Sequence, residues 1–141
     1  MSFDPATYDA WYRSARGRWI GETEYRLLRR ELGLRPAESI LDAGCGTGYF
    51  GRRFAAAGHP VVGIDLDCAA ASYASRSQLL RLSWVVGDMM ALPFPDRSFD
   101  CVIAVTSLCF VEDEAKAVKE IIRVARQPNR LYRKGQPQGR D

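Results

Sequence analysis

Three aspartates, Asp42, Asp65 and Asp88, each close a short apolar run, and the first leads straight into AGCGTG, with Gly44, Gly46 and Gly48 at alternate positions. A glycine-rich turn that opens a helix collects backbone N–H groups at the positive end of the helix dipole, which suits phosphate. A carboxylate two residues ahead of Gly44 repels phosphate and suits a cation. Taken singly, each aspartate is equally a turn residue or a helix N-cap, since Asp is favoured at both. Three of them at the ends of consecutive strands would line one crevice.

Two ligand classes fit parts of this pattern. GTGYFG satisfies the dinucleotide form G-x-G-x-x-G at Gly46, Gly48 and Gly51, and Asp65 follows Gly48 by 17 residues, near the spacing of a ribose-binding acid. An NAD-binding oxidoreductase would set its pyrophosphate near Asp42, a repulsion on the order of a few kcal/mol at an effective dielectric of about 20. A ligand with a nucleoside at one end and a cationic amino-acid group at the other meets no such conflict. Asp65 then accepts from the ribose hydroxyls, Asp88 from an adenine amino group, and Asp42 faces positive charge. S-adenosylmethionine has these features and carries no phosphate; its product is S-adenosylhomocysteine.

The acids share an edge only if the elements before them run parallel. Residues 5–32 read as two helical pieces, with Tyr8, Trp11 and Tyr12 clustered on the first and Tyr25, Leu28 and Leu32 at helical spacing on the second. Gly33 and Pro36 end that segment. Strand and helix then alternate: ESILDAG, TGYFGRRFAAAG, PVVGID, DCAAASYASRSQLLR, LSWVVGD, the loop MMALPFPDRS, FDCVIAV and EDEAKAVKEIIRVAR. Short, wholly apolar strands between helices imply an α/β protein with a doubly wound, mainly parallel Rossmann-like sheet covered on both faces. Right-handed crossovers put all strand carboxyl ends on one edge, where ligands bind. The expected organisation is a helical cap segment over 1–36, an α/β domain over 37–126 and a basic tail over 127–141.

Composition narrows the function classes. With 141 residues and 47% hydrophobic content the chain holds one domain with one core. No apolar run approaches the roughly 20 residues of a membrane span, and MSFDPATYDAWY lacks the basic and apolar parts of a signal peptide. A cytoplasmic location is expected. Cys45, Cys68, Cys101 and Cys109 include no C-x-x-C pair and, with His59 alone to help, make no zinc set, so they read as reduced thiols. The net charge of +3 is concentrated in residues 126–141, where five basic residues face Asp141, leaving the body near −1. Those residues are interleaved with Pro128, Asn129, Gly135, Pro137 and Gly139, which reads as a solvated, disordered end and not as a nucleic-acid face.

LDAGCGTGYF resembles the first motif of class I S-adenosylmethionine-dependent methyltransferases. VVGIDLD, VVGDMMALPFPDRSFDCVIAV and EAKAVKEIIRVAR are similar, in order and spacing, to later segments of the small-molecule branch that includes the ubiquinone and menaquinone methyltransferases. The resemblance covers residues 37–126. It implies that Asp42, Gly44, Gly46 and Gly48 hold the methionine part of the cofactor, with Cys45 as a small residue inside that loop. It assigns the ribose to Asp65 and the adenine to Leu66, Asp88 and Met89, and turns Thr106 toward the methionine end. Tyr12 and its aromatic neighbours resemble the segment that covers the cofactor. The acceptor would be a small molecule, methylated by in-line displacement, or the chain would bind the cofactor without turnover.

Several residues carry competing readings. Trp11 and Tyr12 are core aromatics or a lid; Met89 and Met90 are adenine contacts or packing. Glu112 and Asp113 open a helix as caps or face a substrate. Cys45 is a small filler or a thiol acidified by a helix N-terminus. His59 precedes the second strand, at the edge opposite the crevice. Where the resembling family continues with a glycine-introduced fifth strand, this chain has ARQPNRLYRKG, and strands five to seven look missing. That leaves the strand over 99–105 as an exposed apolar edge, and a homodimer through it is the expected consequence.

Overall fold

The first strand, β1 (Ile40–Ala43), is buried at all four positions, which requires cover on both faces of its sheet. The computed structural model describes residues 4–67, 72, 81–105, 107–128 and 131–134. Before β1 come α1 (Pro5–Arg13) and α2 (Ala15–Leu32); after it come α3 (Tyr49–Ala56), β2 (Val61–Asp65), β3 (Leu82–Val86), β4 (Cys101–Val105), a 3₁₀ turn (Leu108–Phe110), α4 (Glu114–Val124) and β5 (Leu131–Lys134). The helix expected over 67–81 and the end of the chain beyond 134 lie outside the described residues, save Asp67, Ser72 and Arg81.

The five strands lie in the order β3-β2-β1-β4-β5, and every pairing is parallel. Chain order reverses between β1 and β4, so the crevice for a ligand opens at their carboxyl ends. Alternation along the strands builds two cores. Ile40, Val61, Cys101 and Ile103 face Tyr25, Leu28 and Leu32 of α2 and Phe50 and Phe54 of α3. Leu41, Ala43, Ile64, Val102 and Ala104 face Ala117, Ile121 and Val124 of α4. The Tyr25, Leu28 and Leu32 stripe of the N-terminal segment is thus part of the sheet's own cover.

Local chemistry ends the helices where the sequence suggests. Asp4 caps α1 by accepting from the Ala6 and Thr7 amides at 3.2 and 3.3 Å, with Pro5 in the first turn. Ser14 both ends α1 and caps α2, accepting from the Gly17 amide at 3.0 Å. Asp113 caps α4 through the Lys116 amide at 3.1 Å, the capping role of the two weighed for it.

One expectation is overturned. Leu131–Lys134, placed by composition in a disordered tail, form β5 and pair with β4 from Val102↔Leu131 to Val105↔Lys134. A fifth strand therefore exists, and β4 is not an edge. Its backbone donors and acceptors are met within the chain, which removes the reason for a homodimer through residues 99–105. Four residues with two basic side chains give too weak a periodic signal to be read as a strand; the partner β4 supplies the order.

Trp84 of β3 fixes how closely the elements beside the crevice approach. A Cβ on Gly63 of β2 would lie 2.3 Å from the Trp84 ring, so β2 needs a residue without a side chain there. Gly63→Ala is expected to lower stability by about 1–3 kcal/mol in urea unfolding, and Trp84→Leu in the same chain to recover part of the loss. An unchanged midpoint for Gly63→Ala would show that the indole is free to move away.

Candidate functional site

The loop after β1 is held from three sides. The amides of Gly44 and Cys45 both donate to the Ile64 carbonyl of β2, at 2.8 and 3.1 Å, and the Gly48 amide closes the turn on the Cys45 carbonyl at 2.9 Å. Below it, a Cβ on Gly44 would come within 2.3 Å of Ser107, whose hydroxyl donates to the Ala43 carbonyl at 2.8 Å. Gly48 has φ +83° and faces the Trp84 ring, so a side chain there is barred by both backbone and space. The loop is therefore a rigid shelf leading into α3.

Two carboxylates support that shelf. Asp65, at the end of β2, accepts from the Gly46 amide through Oδ2 at 2.9 Å and from the Asp67 amide through Oδ1 at 2.9 Å. Asp42 lies underneath, 3% exposed, with the Gly51 amide as a hydrogen-bond donor. Burial first, and the neighbouring Asp65 charge second, push its pKa from 3.8 up to about 7, against the opposing effect of the Gly51 amide. The Cys45 thiol is also pushed up, by burial and by both aspartates, which is the opposite of acidification by a helix N-terminus.

Above the shelf is a cleft of about 560 Å³ at the carboxyl ends of the strands. Helix α1 roofs it with Tyr8 and Tyr12. Tyr12 stacks on Tyr49 at 3.9 Å with rings 10° from parallel, meets Phe50 edge-on at 6.5 Å, and shares a 3.4 Å hydroxyl contact with Tyr8. Burial, then the Tyr8 hydrogen bond, hold the Tyr12 phenol neutral far above the usual range. The Asp9–Arg52 ion pair, 2.6 Å, fastens α1 to α3. Tyr12 is both a buried packing residue and part of the roof, while Trp11 beside it is 43% exposed.

Opposite the roof, Met89 enters the cleft on the loop after β3. Arg123 of α4 donates to the Leu92 and Phe94 carbonyls at 3.0 and 2.8 Å and pairs with Asp96, while Glu120 accepts from the Leu92 amide at 2.8 Å. This network ties the Met89 loop to α4.

Of the residues singled out in the sequence, Asp42, Gly44, Cys45, Gly46, Asp65, Leu66, Met89 and Tyr12 line this one cleft. Gly48 shapes the loop without lining it. The Asp88 carboxylate serves its own turn, accepting from the Met90 amide at 2.8 Å, and lies outside the lining. Thr106 is outside the described residues. His59 contacts the Glu38 carbonyl at 3.0 Å, ahead of β2 at the opposite edge. Sequence reasoning missed Ser107, Phe50 and Tyr49. Ser107 stands one residue beyond Thr106 on the correct edge, and the two aromatics open α3, where they read as helix core.

The cleft's chemistry can be matched to the nucleoside and amino-acid ligand. Its volume is that of a small-molecule site. Gly46, on its wall, has φ +54° and no atom within 4 Å of where a Cβ would stand, so a ligand can approach its backbone. Thr47, fully buried in the lining, has a hydroxyl with no hydrogen-bond partner among the described residues. A buried hydroxyl and a carboxylate held near neutrality both gain from a ligand carrying hydrogen-bonding groups and positive charge. The residues present fit S-adenosylmethionine.

Comparison with known proteins agrees. The family described as a methyltransferase domain matches residues 41–132, more than half of the chain. A demethylmenaquinone methyltransferase of Renibacterium salmoninarum is 33% identical over 75% of this chain and 44% of its own length. The structure of a SAM-dependent methyltransferase from Methanosarcina mazei superposes with a TM-score of 0.61 at 31% identity, covering 65% of this chain and 49% of that one. The [4+2]-cyclase SpnF superposes at 0.68 and 29% identity, covering 73% and 40%. The chain spans 32% to 51% of the length of eight curated relatives it matches.

Asp42 titrates near 3.8 when unfolded and near 7 when folded, so between these values the folded state holds a proton that the unfolded chain lacks. Its contribution to stability is full below about pH 4 and is lost as pH rises through about 7. Asp42→Asn is expected to match the parent near pH 4 and exceed it at pH 8 by on the order of 3 kcal/mol in the ligand-free protein. Equal unfolding curves at pH 8 would contradict the buried-charge account.

Proposed function

This chain belongs to the methyltransferase domain family, and on that premise we propose that it binds S-adenosylmethionine in the cleft under α1 and transfers the methyl group to a small-molecule acceptor. The observation that carries the reading is the buried Asp42 carboxylate beneath the glycine loop, a place where a pyrophosphate would be repelled and a cationic amino-acid end attracted. When bound, the cofactor supplies a methyl group already activated on a sulfonium sulfur. The chain's own contribution is alignment, exclusion of water and placement of charge.

Asp42 and the Thr47 hydroxyl would hold the amino-acid end, along the backbone of Gly44 and Gly46. Asp65 would take the ribose hydroxyls. Its two oxygens already brace Gly46 and Asp67, but a carboxylate has lone pairs for further donors. Leu66 and Met89 offer apolar surface to the adenine, and Ser107 borders the methionine end. Tyr8, Tyr12, Phe110 and Val111 give the acceptor side of the cleft an apolar, aromatic wall. Tyr12, neutral at physiological pH, can orient an acceptor by hydrogen bonding. The buried Cys45 thiol suits a reducing compartment and supports work in the cytoplasm. Among the described residues no helix is long and apolar enough to cross a membrane.

Calorimetry with S-adenosylhomocysteine and with NAD separates the two ligand classes, and binding of NAD alone would sink the reading of Asp42. Asp65→Ala is expected to weaken S-adenosylhomocysteine by about 1.5–3 kcal/mol, the worth of hydrogen bonds to a charged acceptor. Because the ligand's ammonium prefers ionised Asp42, affinity should rise with pH and fall by up to about tenfold per unit below about pH 7. A flat profile between pH 6 and 8 would exclude that contact. Turnover against phenolic, quinone and amine acceptors tells an enzyme from a protein that only binds the cofactor.

A further inference from the structure

Beside the Tyr12–Tyr49 stack is a second, open groove of about 760 Å³ lined by residues of α1, α2 and α3. The stacked pair lines both this groove and the cofactor cleft, so the two adjoin at these rings. Three arginines, Arg13, Arg52 and Arg53, face the groove against one carboxylate, Asp9. Asp9 is taken up by Arg52 at 2.6 Å. Arg53 is held in place: it pairs with Glu22 at 2.6 Å, donates to the Tyr49 hydroxyl at 3.1 Å, and lies over the Tyr25 ring at 4.2 Å. Arg13 makes no ion pair among the described residues.

Docking of α1 on α3 accounts for Arg52 and Asp9, but it leaves a positive surplus and an ordered guanidinium in an open cavity. A guanidinium carries five N–H donors in a planar fork, so Arg53 keeps donors beyond its two partners. Such a fork, already fixed by stacking, has little conformational freedom left to lose on meeting a planar or tetrahedral oxyanion. The small side chains of Ala56 and Ala57 leave the floor open.

We propose that this groove takes an oxyanion, a carboxylate or a phosphate, carried by the methyl acceptor, whose reactive end reaches past the tyrosine pair into the cofactor cleft. The assignment to an acceptor rests on the methyl-transfer reading above; the oxyanion site does not.

The test titrates the full chain at low ionic strength with phenyl phosphate and with inorganic phosphate, followed by calorimetry, with and without S-adenosylhomocysteine. The expected result is saturable binding of phenyl phosphate, tighter than inorganic phosphate and weakened about fivefold by Arg13→Gln and by Arg53→Gln, with Arg13→Lys retaining most of it. Asp42→Asn should leave it unchanged. Arg13 is exposed and outside the cleft, so Arg13→Gln should fold and bind S-adenosylhomocysteine as the parent does. Absence of saturable binding, or equal affinity in the arginine variants, overturns the site. Inorganic phosphate bound as tightly as phenyl phosphate overturns its assignment to the acceptor. Oxyanion binding that persists in a chain unable to bind S-adenosylhomocysteine would remove the methyl-transfer reading and the acceptor assignment, and leave the groove as an anion site.

Discussion

A carboxylate with almost no water around it organises the ligand end of this protein. Asp42 stands on the central strand of a sheet covered on both faces, and its alternation with Leu41 and Ala43 turns it toward α3 and under the glycine loop. Among the described residues the Gly51 amide alone offsets the cost of burial, and the nearby Asp65 adds to that cost. Such a group is tolerated in a fold of ordinary marginal stability when it has work to do. The shelf above it is accordingly stiff. Asp65 braces Gly46, the Ile64 carbonyl gathers two amides, and Ser107 closes the space beneath Gly44.

The N-terminal helices extend the same logic. α2 is built into the sheet's cover through Tyr25, Leu28 and Leu32, whereas α1 is attached by the Asp9–Arg52 pair and the stacking of Tyr12 on Tyr49. Gly21 of α2 makes the stack possible, since a Cβ there would lie 2.4 Å from the Tyr49 hydroxyl. A single residue, Ser14, joins the two helices. The roof of the cleft is thus held by a few polar and aromatic contacts, and the floor by a hydrogen-bonded sheet. The same tyrosines serve both cavities, so the roof position bears on each.

The strand arrangement also explains why superfamily likeness does not by itself name a reaction. A parallel sheet with a switch point between β1 and β4 offers a crevice to many ligands. SpnF, a cyclase, shares the arrangement with the methyltransferases this chain resembles. What narrows the choice here is the buried acid under the loop, a poor neighbour for a pyrophosphate.

Much of this was legible in the sequence, and for a local reason. Short apolar runs alternating with helical patterns specify a parallel sheet, and the strand-end positions of Asp42 and Asp65 follow from counting along those runs. The glycine loop announces its own conformation, because positive φ at Gly44, Gly46 and Gly48 is a property of the backbone there. Side-chain direction at a loop is another matter. Asp88 occupies the predicted place yet bonds to Met90, and Ser107 enters the cleft from a register that only the packing of β4 against β1 sets. β5 is the clearest case: Leu131–Lys134 have little strand character of their own and are ordered by hydrogen bonds from β4, a partner some thirty residues earlier. The Asp9–Arg52 and Tyr12–Tyr49 contacts join residues about forty apart through the angle between α1 and α3. Sequence by itself determined the elements other than β5, the loop and the acids, because those depend on neighbours along the chain. Tertiary structure decided which side chains share a cavity, because that depends on distances the chain order does not contain.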